Sequence, residues 1–397
     1  MTSTTAVDLS HPDTYLGGPP HEYLTELRET DPVHWQEMWN GDPGYWAVLT
    51  HEGVESVARQ PTVFSSSRGG VVLEDLGPTQ LEQMQGMLLA MDPPRHRVVR
   101  KPLTQRMTPR GIATIEADIV AICREVFDEA RESGEVCFVH DVAAHLPTRV
   151  IGKLMGLPEA DWEAVHLMAE KVTHGQDPEY ASSEADAGAA SAEMGMYGYQ
   201  FAVDRLAAEP RDDLTAVLLA NNDPVEFAKL FIQLVTAGQD TTQTMLSSGL
   251  HALMAHPEQF TELRADASLV PDAVEEILRW ANPLHYFRRT AAEDTELQGK
   301  TIRAGDKVAM YYTSANRDEK VFENSQAFDI RRSPNKHLSF GQAEHFCLGV
   351  HLARLEGKIF FTELMRTFPT IELTGEPQRV RSNLNNALRT LPVRLDA

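Results

Sequence analysis

The sequence predicts a mainly α protein carrying small β-sheets. Helical apolar spacing follows helix after helix from about Ile112 to Ala220. One pattern, opening at Asp223 and stopping at Pro257, is far longer than an ordinary helix. Short runs with strand character fall instead near residues 32–49 and 283–310. The chain reads as one domain over 1–397, β-richer over about 30–70, with further strands over about 283–310 and 370–397.

Composition bounds the function. Asp plus Glu number 58 against 36 Lys plus Arg, a formal net charge of −22. So acidic a chain is a poor ligand for nucleic acid or an anionic membrane, although a local basic patch for an acidic partner is compatible with it. The three cysteines, Cys123, Cys137 and Cys347, are too few and too uneven for a disulfide framework and fit a reducing compartment. Residues 1–12 carry no basic-then-apolar signal, and no long apolar run is free of charge. The expectation is a cytoplasmic protein with no membrane span.

In chain order, residues 1–20 read as a loose arm and His21 to Arg28 as a short helix. Pro32–Trp35 and Tyr45–Leu49 read as strands around the turn residues Asn40-Gly41-Asp42-Pro43-Gly44. Ser67 to Ala90 carries Val72, Met84, Met87, Leu88 and Leu89, which suit either a core or a flexible apolar lid. Pro93 and Pro94 are placed to open a helix that sets His96 and Arg100 on one face, where the two donors can clamp a carboxylate. Helices are then expected over Ala117–Ser133, Ala144–Met155, Asp161–Val172 and Ser183–Ala208, with a second lid over Val172–Tyr180 that includes His174.

Asp223, Pro224 and Glu226 form a helix-start signature for the long central helix. Mid-helix stands Ala237-Gly238-Gln239-Asp240-Thr241-Thr242, a run of poor helix formers. A local rule broken at the centre of a structure marks a functional site or a tight crossing. Ala237 and Thr241 share a face, leaving room for a small flat ligand beside an alcohol and a carboxylate. Glu276 and Arg279 lie three apart on the next helix, and Pro283 to Thr290 reads as a strand. Last, Cys347 is held at the start of a patterned helix from about Leu348 to Thr367, where the helix dipole favours a thiolate.

Phe340-Gly341-Gln342-Ala343-Glu344-His345-Phe346-Cys347-Leu348-Gly349 resembles the haem-binding loop of cytochrome P450 monooxygenases, in the soluble bacterial form. Phe340, Gly341, Cys347 and Gly349 match its signature, while Ala343 replaces the second glycine. Three further motifs match in the family's order: Asp92-Pro93-Pro94 with His96 and Arg100, Ala237-Gly238-Gln239-Asp240-Thr241, and Glu276 with Arg279. The resemblance implies a triangular helical prism with the long helix over a haem b. It makes Cys347 the iron ligand, and it places His96, Arg100, Arg289 and His345 on the haem propionates, with Ala237, Phe340 and Gly349 against the haem. Asp240 and Thr241 become the proton relay. Glu276, Arg279 and Arg332 become a buried structural network.

The implied activity is hydroxylation of a C–H bond with O2 and electrons from a separate ferredoxin and ferredoxin reductase, since the chain has no Gly-x-Gly-x-x-Gly dinucleotide site and no ferredoxin cysteine spacing. The apolar lids favour a steroid, terpenoid, lipid-like or natural-product substrate. Polar groups at His174, His285 and the Asn383–Asn386 tip suit an alternative, β-hydroxylation of an amino acid tethered to a carrier protein. A haem-binding sensor without turnover is the third reading. The expected pocket is Val72, Leu88, His174, Leu234, Leu284, His285 and Leu384.

Overall fold

A computed structural model describes residues 7–396. The central helix runs from Pro224 to Ala255, 32 residues, with Asp223 as its cap accepting from the amides of Val225 and Glu226. Two acceptor bonds at one end do not explain such length; packing does. The helices Glu184–Ala207, Val270–Ala281, His145–Met155, Trp162–Thr173 and Val350–Thr367 all lie against it. Most of their apolar residues join one large core that includes Phe127, Phe231, Leu246, Ile277 and Phe360. Helical propensity is poor around Gly238, yet the helix continues through it, because burial of its flanks outweighs a cost of about 1 kcal/mol.

The largest sheet packs on two smaller apolar clusters apart from that core. A five-stranded sheet has the order Val33–Gln36, Tyr45–Val48, Lys307–Tyr311, Tyr286–Ala291, Phe64–Ser65. Only the pairing of Tyr45–Val48 with Lys307–Tyr311 is parallel. A second sheet joins Glu135–Cys137, Pro392–Asp396 and Thr370–Leu373. The Asn383–Asn386 tip lies between the paired strands Gln378–Arg379 and Leu388–Thr390.

Several boundaries and elements differ from the sequence reading. Residues 1–6 of the expected arm lie outside the described residues, and the rest of it is packed. Leu9 and Ser10 are fully buried, and the Tyr15 hydroxyl donates to Leu9 O at 2.9 Å. Leu214–Leu219 and Pro257–Ala265 are helices the apolar spacing did not single out, being short. Phe138–Ala143 forms a π-helical turn. No helix among the described residues is long and apolar enough to cross a membrane.

One polar network ties the helices to the loop that carries Cys347. Glu276 and Arg279 are buried and joined by two bonds of 2.7 Å. Arg279 also donates to the carbonyls of Asn316, Ser325 and Ala327. Glu276 also accepts from Arg332 Nε at 3.1 Å, from Asn335 Nδ2 at 3.1 Å and from the Asp329 amide at 2.8 Å. The carboxylate is thus matched on every side, the condition under which a buried charge is tolerated. Glu276→Gln leaves two arginines without their anion, so it is expected to lower stability by about 3–5 kcal/mol. Urea denaturation followed by circular dichroism checks this.

Candidate active site

An internal cavity separates the central helix from the Cys347 loop. The loop is set by its own backbone and by one asparagine. The amide of Gly341 donates to Leu338 O, and that of Cys347 to Phe340 O, both at 2.8 Å. Asn316 accepts from the Leu338 amide at 2.7 Å and donates to Ser339 Oγ at 2.8 Å. Gly341 has φ +68° and Ala343 φ +56°. Glycine takes such angles freely, whereas alanine is strained there. Cys347 precedes the helix, which begins at Val350 with Gly349 as its cap. Burial pushes the Cys347 thiol up, while the Gly349 amide and the guanidinium groups of Arg100 and Arg354 pull it down.

Four basic side chains converge on the cavity from three elements. His96 and Arg100 come from the helix Arg95–Arg106, Arg289 from the strand Tyr286–Ala291, and His345 from the loop. The rings of His96 and His345 stand 4.4 Å apart. Burial lowers the pKa of His96, with Arg100 and Arg289 adding to the effect and Glu344 opposing it. Burial, Arg289, His96 and Arg100 push His345 down to about 2. The buried Arg289 guanidinium donates to Arg288 O at 2.8 Å and makes no ion pair among the described residues. His96 Nε2 is buried with no hydrogen-bond partner, and its Nδ1 lies 3.2 Å from Glu344. So many desolvated donors facing one space without enough acids fit a ligand with carboxylates. A flat group held by a cysteine on one side and by such donors at its edge fits haem.

The opposite wall is the central helix. Ala237, Gly238, Thr241 and Thr242 line the cavity. The Thr241 hydroxyl donates to Ala237 O at 2.8 Å. Asp240 does not line it. Its carboxylate lies 2.7 Å from His174 Nε2, with both side chains buried. The remaining wall is largely apolar, with Leu88, Leu89, Leu234, Leu284 and Phe287.

Four of the residues expected in the pocket lie outside it. Val72 is partly buried, and its carbonyl receives Arg288 at 3.3 Å. His174 turns to Asp240. His285 stacks on Tyr15 at 4.1 Å and bonds Thr313 at 2.9 Å. Leu384 packs on the N-terminal cluster with Leu9 and Tyr286. For His174, His285 and Leu384 a nearby polar or apolar partner captures the side chain before it reaches the cavity. Leu88, Leu234 and Leu284 do line it. The sequence reading missed Phe287, although alternation along the strand puts it on the face of Arg289. It also missed Glu344 and Glu356. Glu356 sits on the cavity wall with its carboxyl pushed up to about 8 by burial. An acid on the apolar stripe of a patterned helix was the available signal.

Comparison with known proteins agrees with this geometry. The family model for cytochrome P450 matches residues 202–395. A steroid C26-monooxygenase of Rhodococcus jostii (strain RHA1) is 35% identical over 400 residues, covering 97% of this chain and 84% of that protein. A methyl-branched lipid omega-hydroxylase of Mycobacterium bovis (strain ATCC BAA-935 / AF2122/97) is 36% identical over 361 residues, 88% of this chain and 84% of that one. A Mycobacterium marinum cytochrome P450, CYP268A2, solved with pseudoionone, superposes with TM-score 0.92 at 36% identity over all of both chains. The chain belongs to the cytochrome P450 family. It is a haem monooxygenase and its cofactor is haem b.

Ala343 makes the loop testable. Ala343→Gly is expected to raise stability by about 1 kcal/mol, because the residue no longer strains at φ +56°. A shift in the thermal midpoint of the haem-loaded protein checks it.

Proposed function

We propose that this enzyme hydroxylates an unactivated C–H bond of a steroid or methyl-branched isoprenoid lipid, in the cytoplasm, with a ferredoxin and its reductase as electron source. The apolar wall of Leu88, Leu89, Leu234, Leu284 and Phe287 carries the substrate class, since it provides burial and few hydrogen bonds. The names of the steroid and branched-lipid relatives point the same way. His174 and His285, which would have suited a tethered amino acid, are turned away from the cavity.

The haem, when bound, supplies oxygen activation and C–H oxidation. Cys347 would hold its iron as a thiolate, and His96, Arg100, Arg289 and His345 would take its propionates. Thr241 holds a hydroxyl proton on the cavity wall 2.8 Å from Ala237 O, and Asp240 on the next position supplies protons to it. The apolar residues exclude bulk water and orient the substrate.

The electron donor is read from charge. The helix Arg95–Arg106 holds Arg95, Arg97, Arg100, Lys101 and Arg106 and no acid, on a chain of net charge −22. It lies beside the cysteine loop, where Arg100 contacts Phe346 O. Arg97 is 68% exposed at its side chain, and Lys101 is exposed. An acidic electron carrier complements this face.

Two measurements follow. The reduced carbon monoxide spectrum should show the red-shifted thiolate Soret band, and Cys347→Ala should lose it; retention would refute the ligand. Cholest-4-en-3-one, pseudoionone and a methyl-branched fatty acid should each be titrated for the low-to-high-spin shift. A shift with none of them would overturn the substrate class. Separately, Arg97→Glu with Lys101→Glu should slow reduction by an acidic ferredoxin on the order of tenfold at low salt, with the difference shrinking as salt rises. Stopped-flow reduction reads this.

A further inference from the structure

One position on the apolar part of the cavity wall carries an amide. Gln233 stands one turn before Ala237 on the central helix, and both line the cavity. Leu88, Leu89 and Leu234 line it beside Gln233. An amide among leucines is costly unless its polar atoms are matched. Here only half of it is matched. The Leu89 amide donates to Gln233 Oε1 at 3.4 Å. A backbone N–H can only donate, which fixes the carboxamide with its oxygen to Leu89 and its nitrogen away from it. Gln233 Nε2 has no hydrogen-bond partner among the described residues and is not enclosed by protein, so it opens on the cavity.

We propose that Gln233 is a specificity-determining residue: its carboxamide N–H donates to a carbonyl oxygen of the substrate, which is a ketone of a short branched isoprenoid chain. This rests on the reading of the cavity as a site for steroid or isoprenoid lipids. The donor selects the group. With Oε1 committed to Leu89, Gln233 offers the cavity a proton and no acceptor, which suits a carbonyl, an acceptor alone. An alcohol brings a proton that Gln233 does not take. A carboxylate buries a charge against a neutral amide.

Position on the helix then sets the length of the substrate. Ala237 and Thr241 follow Gln233 by one and two turns, about 6 and 12 Å along the axis. The carbon to be oxidised lies beside those two residues, on the wall across the cavity from Cys347. An extended carbon chain advances roughly 1.2 Å per bond, so ketone and oxidised carbon are about five to ten bonds apart. Pseudoionone, with about nine bonds between its carbonyl carbon and its far methyl groups, falls inside that interval. Cholest-4-en-3-one, with about fourteen bonds between its carbonyl carbon and its side-chain end, falls outside it. The site is sized for a short isoprenoid ketone, not for a 3-keto steroid oxidised at the end of its side chain.

The test uses the haem-loaded enzyme and three probes: pseudoionone, the alcohol obtained by reducing its ketone, and the hydrocarbon with a methylene in place of the carbonyl. Titration of the low-to-high-spin shift should show pseudoionone binding about three- to tenfold tighter than the hydrocarbon, as one matched donor provides. Gln233→Leu should abolish that preference by weakening the ketone and sparing the hydrocarbon. Gln233→Met, of similar length and without the donor, should do the same. With an isotope-labelled carbonyl, difference infrared spectroscopy should find the C=O stretch of bound pseudoionone lower in the wild type than in either variant, because a hydrogen bond weakens that bond. Turnover should place the hydroxyl at the end remote from the ketone in the wild type and scatter it in Gln233→Leu. An unchanged haem spectrum confirms that each variant is folded. Ketone and hydrocarbon weakened alike would mean that Gln233 only braces Leu89, and this overturns the proposal, as does a C=O stretch equal in wild type and variants. An alcohol bound as tightly as the ketone overturns the choice of a carbonyl. No spin shift with any probe overturns the substrate reading itself, and the proposal with it.

Discussion

Everything near the cavity depends on one ion cluster. Glu276 joins the helix Val270–Ala281 to the stretch 329–335, and that stretch leads into the Cys347 loop. Arg279 extends the same cluster to the carbonyls of Asn316 and Ser325. Asn316 in turn grips Leu338 and Ser339. The position of the sulfur is thus inherited from a carboxylate two layers away. Leu338, Phe340 and Leu348 pack the loop on the apolar clusters, and hydrogen bonds supply the direction that hydrophobic burial lacks.

A second constraint follows from placing cations where water is scarce. His96, Arg100, Arg289 and His345 meet in a space whose nearest acid, Glu344, is shared with Arg97 at 2.8 Å. Burial, with the neighbouring cations adding to it, is why the histidines hold no proton readily there. The site is therefore shaped for two negative charges at the edge of a flat body. On the other wall the logic is reversed: the central helix offers small and hydroxyl groups, and Asp240 is turned outward to a histidine.

Much of this was legible in the sequence, and the misses have physical causes. The long helix, the strand pairs and the order of the four motifs are local patterns, carried by spacing and by capping residues such as Asp223. Arg289 came from the resemblance; the structure sets it on the cavity while its strand neighbour Arg288 faces away, to Asp75 at 3.2 Å. Where a lid side chain ends is a different kind of question. His174, His285 and Leu384 belong to segments without period, so their partners depend on chain that is distant in sequence. The π-helical turn at Phe138–Ala143 and the packed arm around Tyr15 are likewise set by tertiary contact.

The crowding of cations around the cavity has a consequence for how the protein comes into being. Before the cofactor arrives, the newly made chain must fold with that repulsion uncompensated and with a large space between its central helix and its cysteine loop. Binding of the haem removes both penalties at once, so it acts as a ligand for the native state alone and deepens the folding equilibrium as its free concentration rises. Newly synthesised molecules short of haem stay at the shallow end of that equilibrium and meet proteases more often. The abundance of the enzyme in a cell is then tied to haem supply, through the same four side chains that seat it.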